Sequence, residues 1–162
     1  MSTPSVSTAV RRVDVAAWRS RLVRILSRHS IDLLRVALGL VFLGFGVLKF
    51  VPGLSPAEDL VIRTLDTLSF GMVPATVAVV LTATMETFIG LTLVSGRWLT
   101  AGLVVLGAAM VGILSPVVLF ASEMFGDGPT LAAQYVLKDI VLVAAGLVVG
   151  AKALGARLVA PH

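Results

Sequence analysis

The chain has 162 residues, 57% of them hydrophobic, and a formal net charge of +4; its mean hydropathy of +1.02 sets it apart from soluble domains, where roughly 45–50% apolar residues is usual. It has no cysteine, which excludes disulfides, electron transfer through a thiol pair and thiolate ligation of a metal or iron–sulfur cluster. Its two histidines, His29 and His162, lie outside every apolar run, so a bis-histidine haem held between apolar helices is excluded as well.

Residues 1–30 carry six arginines (Arg11, Arg12, Arg19, Arg21, Arg24 and Arg28) against one acid, Asp14. Val15, Trp18, Leu22, Ile25 and Leu26 recur on one helical face, with Arg19, Arg21, Arg24 and Arg28 elsewhere around it. The pattern predicts a basic amphipathic helix lying on a membrane surface of anionic headgroups. A charge cluster that only sets topology accounts for the same arginines. A transit peptide shares the Arg- and Ser-rich composition, whereas a cleaved secretory signal fits badly, because no small-residue cleavage site follows the first apolar run.

Residues 31–155 read as one domain with four apolar runs of membrane-crossing length, at about 31–51, 73–95, 100–121 and 131–152, followed by a tail at 156–162. The expected fold is an all-α, four-helix transmembrane bundle. The N-terminal segment, the Gly96-Arg97 turn and the C-terminal Lys152 and Arg157 are basic, whereas the loop holding Glu123 and Asp127 has no cation. Both termini are therefore expected in the cytoplasm. Arginine outnumbers lysine ten to three and asparagine is absent, a composition typical of GC-rich bacterial genomes, so the expected location is a bacterial inner membrane. No nucleic-acid partner is expected.

The first outer loop predicts a helix of its own over 56–69. Ser55-Pro56-Ala57-Glu58 has capping-box spacing with proline at the first helical position. Leu60, Val61, Leu65 and Leu68 then alternate with Asp59, Arg63 and Asp66, and Asp59 with Arg63 is an i,i+4 pair. An amphipathic helix here is expected to lie over the bundle as a lid. In the third run, Pro116 after Ser115 predicts a kink.

Glu86 is the only charged residue between Asp66 and Arg97. It sits 13 and 9 residues from the two ends of its run, roughly 20 and 14 Å, too deep to reach water. Such a carboxylate costs about 2.5–3.5 kcal/mol on insertion scales and faces a partner or a cavity. On helical wheels Arg35, Gly39, Phe42, Gly46 and Lys49 share one face of the first span, Thr82, Glu86, Gly90 and Arg97 one face of the second, and Tyr135, Asp139, Gly146 and Gly150 one face of the fourth, with Lys138 and Gln134 beside them. Gly146 and Gly150 have the spacing of a close-packing motif. A pocket in the outer half lined by Lys49, Glu86, Lys138 and Asp139 is expected, with Arg35 and Arg97 as charge partners on the inner side. Two uses compete for it: ion pairs that fix helix register, and a site for a polar-headed lipophilic ligand such as a quinone, or a proton relay. No phosphate loop, metal-ligand spacing or nucleophile–base motif occurs, so the chain carries no sign of being an enzyme alone.

Arg35-Val-Ala-Leu-Gly39, continuing to Gly46-Val-Leu-Lys49-Phe50 and Val-Pro52-Gly53, resembles the first-span signature of the DoxX-like membrane proteins, including the related YkgB-type proteins. Glu86 followed by Gly90 and Gly96-Arg97 resembles their second span, and Leu137-Lys138-Asp139 leading to Gly146 their fourth. The resemblance covers roughly residues 31–155 and implies a four-helix membrane bundle. Some family members are membrane subunits of redox systems, such as a thiosulfate:quinone oxidoreductase. It therefore implies a subunit or anchor of an oxidoreductase complex, with a soluble or membrane-bound oxidoreductase partner, quinone as the candidate cofactor, and Arg35, Lys49, Glu86, Lys138 and Asp139 at the motif positions. A small proton-coupled transporter and a purely structural anchor are the alternatives. The transporter reading lacks duplicated halves within the chain, which a homo-oligomer would supply.

Overall fold

The computed structural model describes residues 15–157, and no strand occurs among them. Arg11, Arg12, Asp14 and residues 158–162 lie outside the described residues, as does any helix expected before Val15. Seven helices follow in order: α1 (Val15–Leu48), α2 (Glu58–Leu68), α3 (Ala75–Ser95), α4 (Leu99–Leu114), α5 (Pro116–Leu119), α6 (Ala121–Phe125) and α7 (Leu131–Ala153). Three stretches are long and apolar enough to cross a membrane: Ala17–Leu48, Ala75–Ser95 and Leu99–Leu119. With 23 residues, α7 has comparable length but carries Gln134, Lys138 and Asp139.

The long helices form a closed ring, α1 against α3, α3 against α4, α4 against α7 and α7 back against α1. One core runs through all four: Leu38 and Phe42 of α1, Ile89 and Leu93 of α3, Leu106, Ala109 and Met110 of α4, Ala145 and Val149 of α7. A second, smaller cluster of Met124, Ala133 and Val136 closes one end, with Leu60 of α2 and Phe120 packed on it. In this sense α2 does lie over the end of the bundle.

Short turns produce the antiparallel order. Between α3 and α4 the chain needs only Gly96, Arg97 and Trp98, and Gly96 takes the left-handed conformation (φ 71°) that ends a helix, its N–H donating to Thr92 O. Where the sequence predicts a kink, a one-residue break at Ser115 separates α4 from α5. Proline cannot donate to the carbonyl of Gly112, and the Ser115 hydroxyl donates to it instead, at 2.7 Å. The backbone therefore stays helical through Ser115.

Two expectations change. No break separates an N-terminal surface helix from the first span: α1 is continuous for 34 residues, about 51 Å at helical rise. The capping box at α2 is not formed. The helix starts at Glu58, its N-cap Ala57 makes no side-chain cap, the buried Ser55 hydroxyl has no partner, and the Glu58 carboxylate accepts from Gly53 N instead. The 55–58 turn is closed by the Ser55 carbonyl, not by its hydroxyl.

Candidate functional site

The α1–α3 interface is the most extensive in the bundle, and glycine lets its two backbones approach closely. An added Cβ at Gly46 would stand 2.7 Å from Thr87 N, one at Gly90 2.6 Å from Leu43 N, and one at Gly39 2.9 Å from Val94 N. Real Cβ atoms do not approach so near, so the two backbones meet only because these positions lack one. This close antiparallel approach brings the end of α1 beside Glu86.

Lys49 follows the last helical residue, Leu48, and its ammonium lies 2.6 Å from Glu86 Oε2. The side chains are 3% and 7% exposed. A cation at a helix C-terminus also meets favourable partial charge from the unpaired carbonyls. The pair is not saturated. Among the described residues the ammonium, with three protons, has a single hydrogen-bond acceptor, Glu86 Oε2, while beside Gly46 the buried Thr87 hydroxyl has no partner. Asp139 is half-buried and near enough to both Lys49 and Glu86 to interact with them electrostatically.

Lys138 lies at the edge of this group, within electrostatic range of Asp139. It is exposed, and its ammonium lies 4.1 Å from the Tyr135 ring centroid and 5.2 Å from that of Phe45, which also lies 5.8 Å from Lys49. Of the four residues expected to share a pocket, then, two are in direct contact, a third is in electrostatic range, and the fourth is held by aromatic faces. An open depression of about 570 Å³ occurs elsewhere, lined by Ser122, Glu123, Asp127, Gly128, Pro129 and Thr130, and it includes none of the four.

The inner-side pair also separates. Arg35 donates to the carbonyls of Leu93 and Val94, filling acceptors that the end of α3 leaves open. Arg97 is exposed and has no ion-pair partner among the described residues. Of the two glycines in the fourth-span motif, Gly146 abuts Leu106 of α4, but an added Cβ at Gly150 meets nothing within 4 Å. Gly150 therefore brings no helix close.

Two ion pairs were missed from the sequence. Lys152 of α7 binds Asp32 of α1 at 2.7 Å; Asp32 is the only acid between Asp14 and Glu58, a signal that was available. Arg63 does not pair with Asp59 but with both oxygens of Glu123, at 3.0 and 2.8 Å, with its guanidinium 4.6 Å from the Phe120 ring centroid. Helical spacing favours the near partner, and only the packing of α2 on the 120–123 segment reveals the distant one.

Comparison with protein-family models, curated proteins and solved structures finds no match.

Proposed function

We propose that this chain is a four-span membrane subunit, with α1, α3, α4–α5 and α7 as the spans, organised around the buried Lys49–Glu86 pair. One observation carries the reading: the charges between α1 and α3 are inside and large apolar side chains are outside. Lys49 and Glu86 are buried, whereas Val104, Val111 and Val118, seven residues apart on one face, are 68%, 74% and 80% exposed. Water would penalise that face and lipid would not. On this reading α7 crosses with its Gln134–Asp139 stretch in the outer half, and the end bearing Arg35, Arg97 and Lys152 faces the cytoplasm of a bacterial inner membrane.

The finer role, membrane subunit of a quinone-linked oxidoreductase, rests on the DoxX-like residues of the first, second and fourth spans. The polar groups beside the pair fit a carbonyl-bearing head group in kind: Lys49 has protons to spare and Thr87 an unpartnered hydroxyl. A quinone there would supply two-electron redox chemistry. The protein would contribute hydrogen bonds from Lys49 and Thr87 and a dry apolar surround.

Reporter fusions at residues 60 and 125 should read as external and one at the C-terminus as internal; a cytoplasmic reading at residue 60 overturns the topology. For the finer role, chain purified in mild detergent should retain quinone and an oxidoreductase partner. Thr87→Val keeps the side-chain shape and should lose the quinone at unchanged melting temperature. Equal quinone content in both proteins, or none in either, would remove that role and leave the membrane subunit.

A further inference from the structure

Because Arg35 reaches the last carbonyls of α3, its side of α1 is fixed in space. Arg28 and Arg21 precede it by one and two heptads and Arg24 falls between them, so at about 100° per residue all three lie within roughly 40° of the same line. Since α3 ends at Ser95, these arginines continue some 10, 16 and 21 Å past Arg35, beyond the end of the bundle. Residues 17–29 are exposed throughout, and none of Arg19, Arg21, Arg24 and Arg28 has an ion-pair partner among the described residues.

The apolar stripe of the same segment follows a different line. Leu26, Leu33, Leu40 and Val47 recur at every seventh residue and are 52%, 71%, 56% and 51% exposed. Three of these form the outward face of the span. Val15, Trp18, Leu22 and Ile25, also exposed, continue that face, about 120° around the helix from the arginines. What faces lipid in the span is therefore prolonged into the free segment, interrupted only by Arg19, one heptad before Leu26. An unbroken helix cannot lie flat on the surface while its other half crosses the bilayer; it can only lean.

We infer that residues 15–30 of α1 are an anionic-lipid-binding extension, leaning outward from the bundle with the Val15–Trp18–Leu22–Ile25 stripe in the membrane interface and Arg21, Arg24 and Arg28 on lipid phosphates. The inference rests on reading α1 as a span. Arg35, level with the end of α3, marks the inner end of the span, so Arg28 and Arg24 stand about 10 and 16 Å beyond it along the helix, and an outward lean brings them back towards the headgroups. An outward lean immerses the stripe; an inward lean would hold it in water. A second copy packing on this segment would bring together four arginines with no acid between Val15 and Ile31. An acidic soluble protein would match the arginines yet leave Trp18 and its stripe in water. Anionic lipid satisfies both faces at once.

Trp18 reports on this directly. With Trp98→Phe it is the sole tryptophan, and the protein can be reconstituted in vesicles of acyl-brominated phosphatidylcholine with or without phosphatidylglycerol. Trp18 should be quenched when phosphatidylglycerol is present. High salt should weaken the effect, and so should Arg21→Gln with Arg24→Gln and Arg28→Gln, by about fivefold in interfacial population per arginine removed. Solvent-like, unquenched Trp18 in every vesicle overturns the inference. So does equal quenching in neutral vesicles and in the triple variant, which would leave the arginines without a role. Leu40→Trp, with both native tryptophans changed to Phe, is the control: quenching there keeps the span whatever Trp18 does, and its absence sinks the span itself.

Discussion

Lys49–Glu86 and Arg63–Glu123 have nearly the same length, 2.6 and 2.8 Å, and opposite surroundings, with side chains 3% and 7% exposed in the first pair and 52% and 59% in the second. Distance alone would rank them as equals. The buried pair has given up hydration worth several kcal/mol per ion, recovered only through the mutual contact, so each member depends on the other. The exposed pair exchanges one hydrated state for another and is screened by salt. The first clamps α1 to α3 where glycine lets the backbones meet, and the second holds α2 to the segment before α7.

The contrast is most severely tested by breaking the buried pair. Glu86→Gln or Lys49→Met should each destabilise the folded state by about 3–5 kcal/mol, measured by reversible unfolding in detergent, because each leaves a buried partner uncompensated. The double change Lys49→Met with Glu86→Leu should cost less than either single one. If the singles were as mild as a surface substitution, burial would not be what distinguishes the two pairs.

Overpacking the interface that positions the pair should come next. Gly90→Leu drives a side chain into the Leu43 backbone and should cost about 1–3 kcal/mol, with Gly150→Leu, in open space, as the mild control. Arg63→Ala removes an exposed ion pair and a cation–π contact, and should lower stability by about 1 kcal/mol or less, with a loss that shrinks in high salt. Its sharper readout is faster hydrogen exchange in α2 with α3 unchanged.

The smallest effect is expected at Ser55. A working N-cap hydroxyl contributes about 1 kcal/mol, but this one is buried without a partner, so Ser55→Ala should fall within about 0.5 kcal/mol of the parent, or stabilise slightly. A full cap-sized loss would mean that the hydroxyl caps α2 after all.

Composition and period by themselves determined that this is an all-helical chain with helices long and apolar enough for a membrane, because a span must bury its backbone polar groups in its own hydrogen bonds and so writes a long apolar run into the sequence. They also located the break beside Pro116 and marked Glu86 as a charge needing a partner, since nothing along its own run could supply one. Which partner was a tertiary matter. Lys49 and Lys138 were both candidates, and only the approach of α1 to α3 at Gly46 and Gly90 chose Lys49. The same held for Arg63, which passed over the acid one turn away for Glu123, and for the Ser55 hydroxyl, which has the right spacing for a cap and no amide to receive. Spacing along a helix fixes which side a residue faces, but the partner depends on which other backbone comes close, and here that was decided by where side chains are missing.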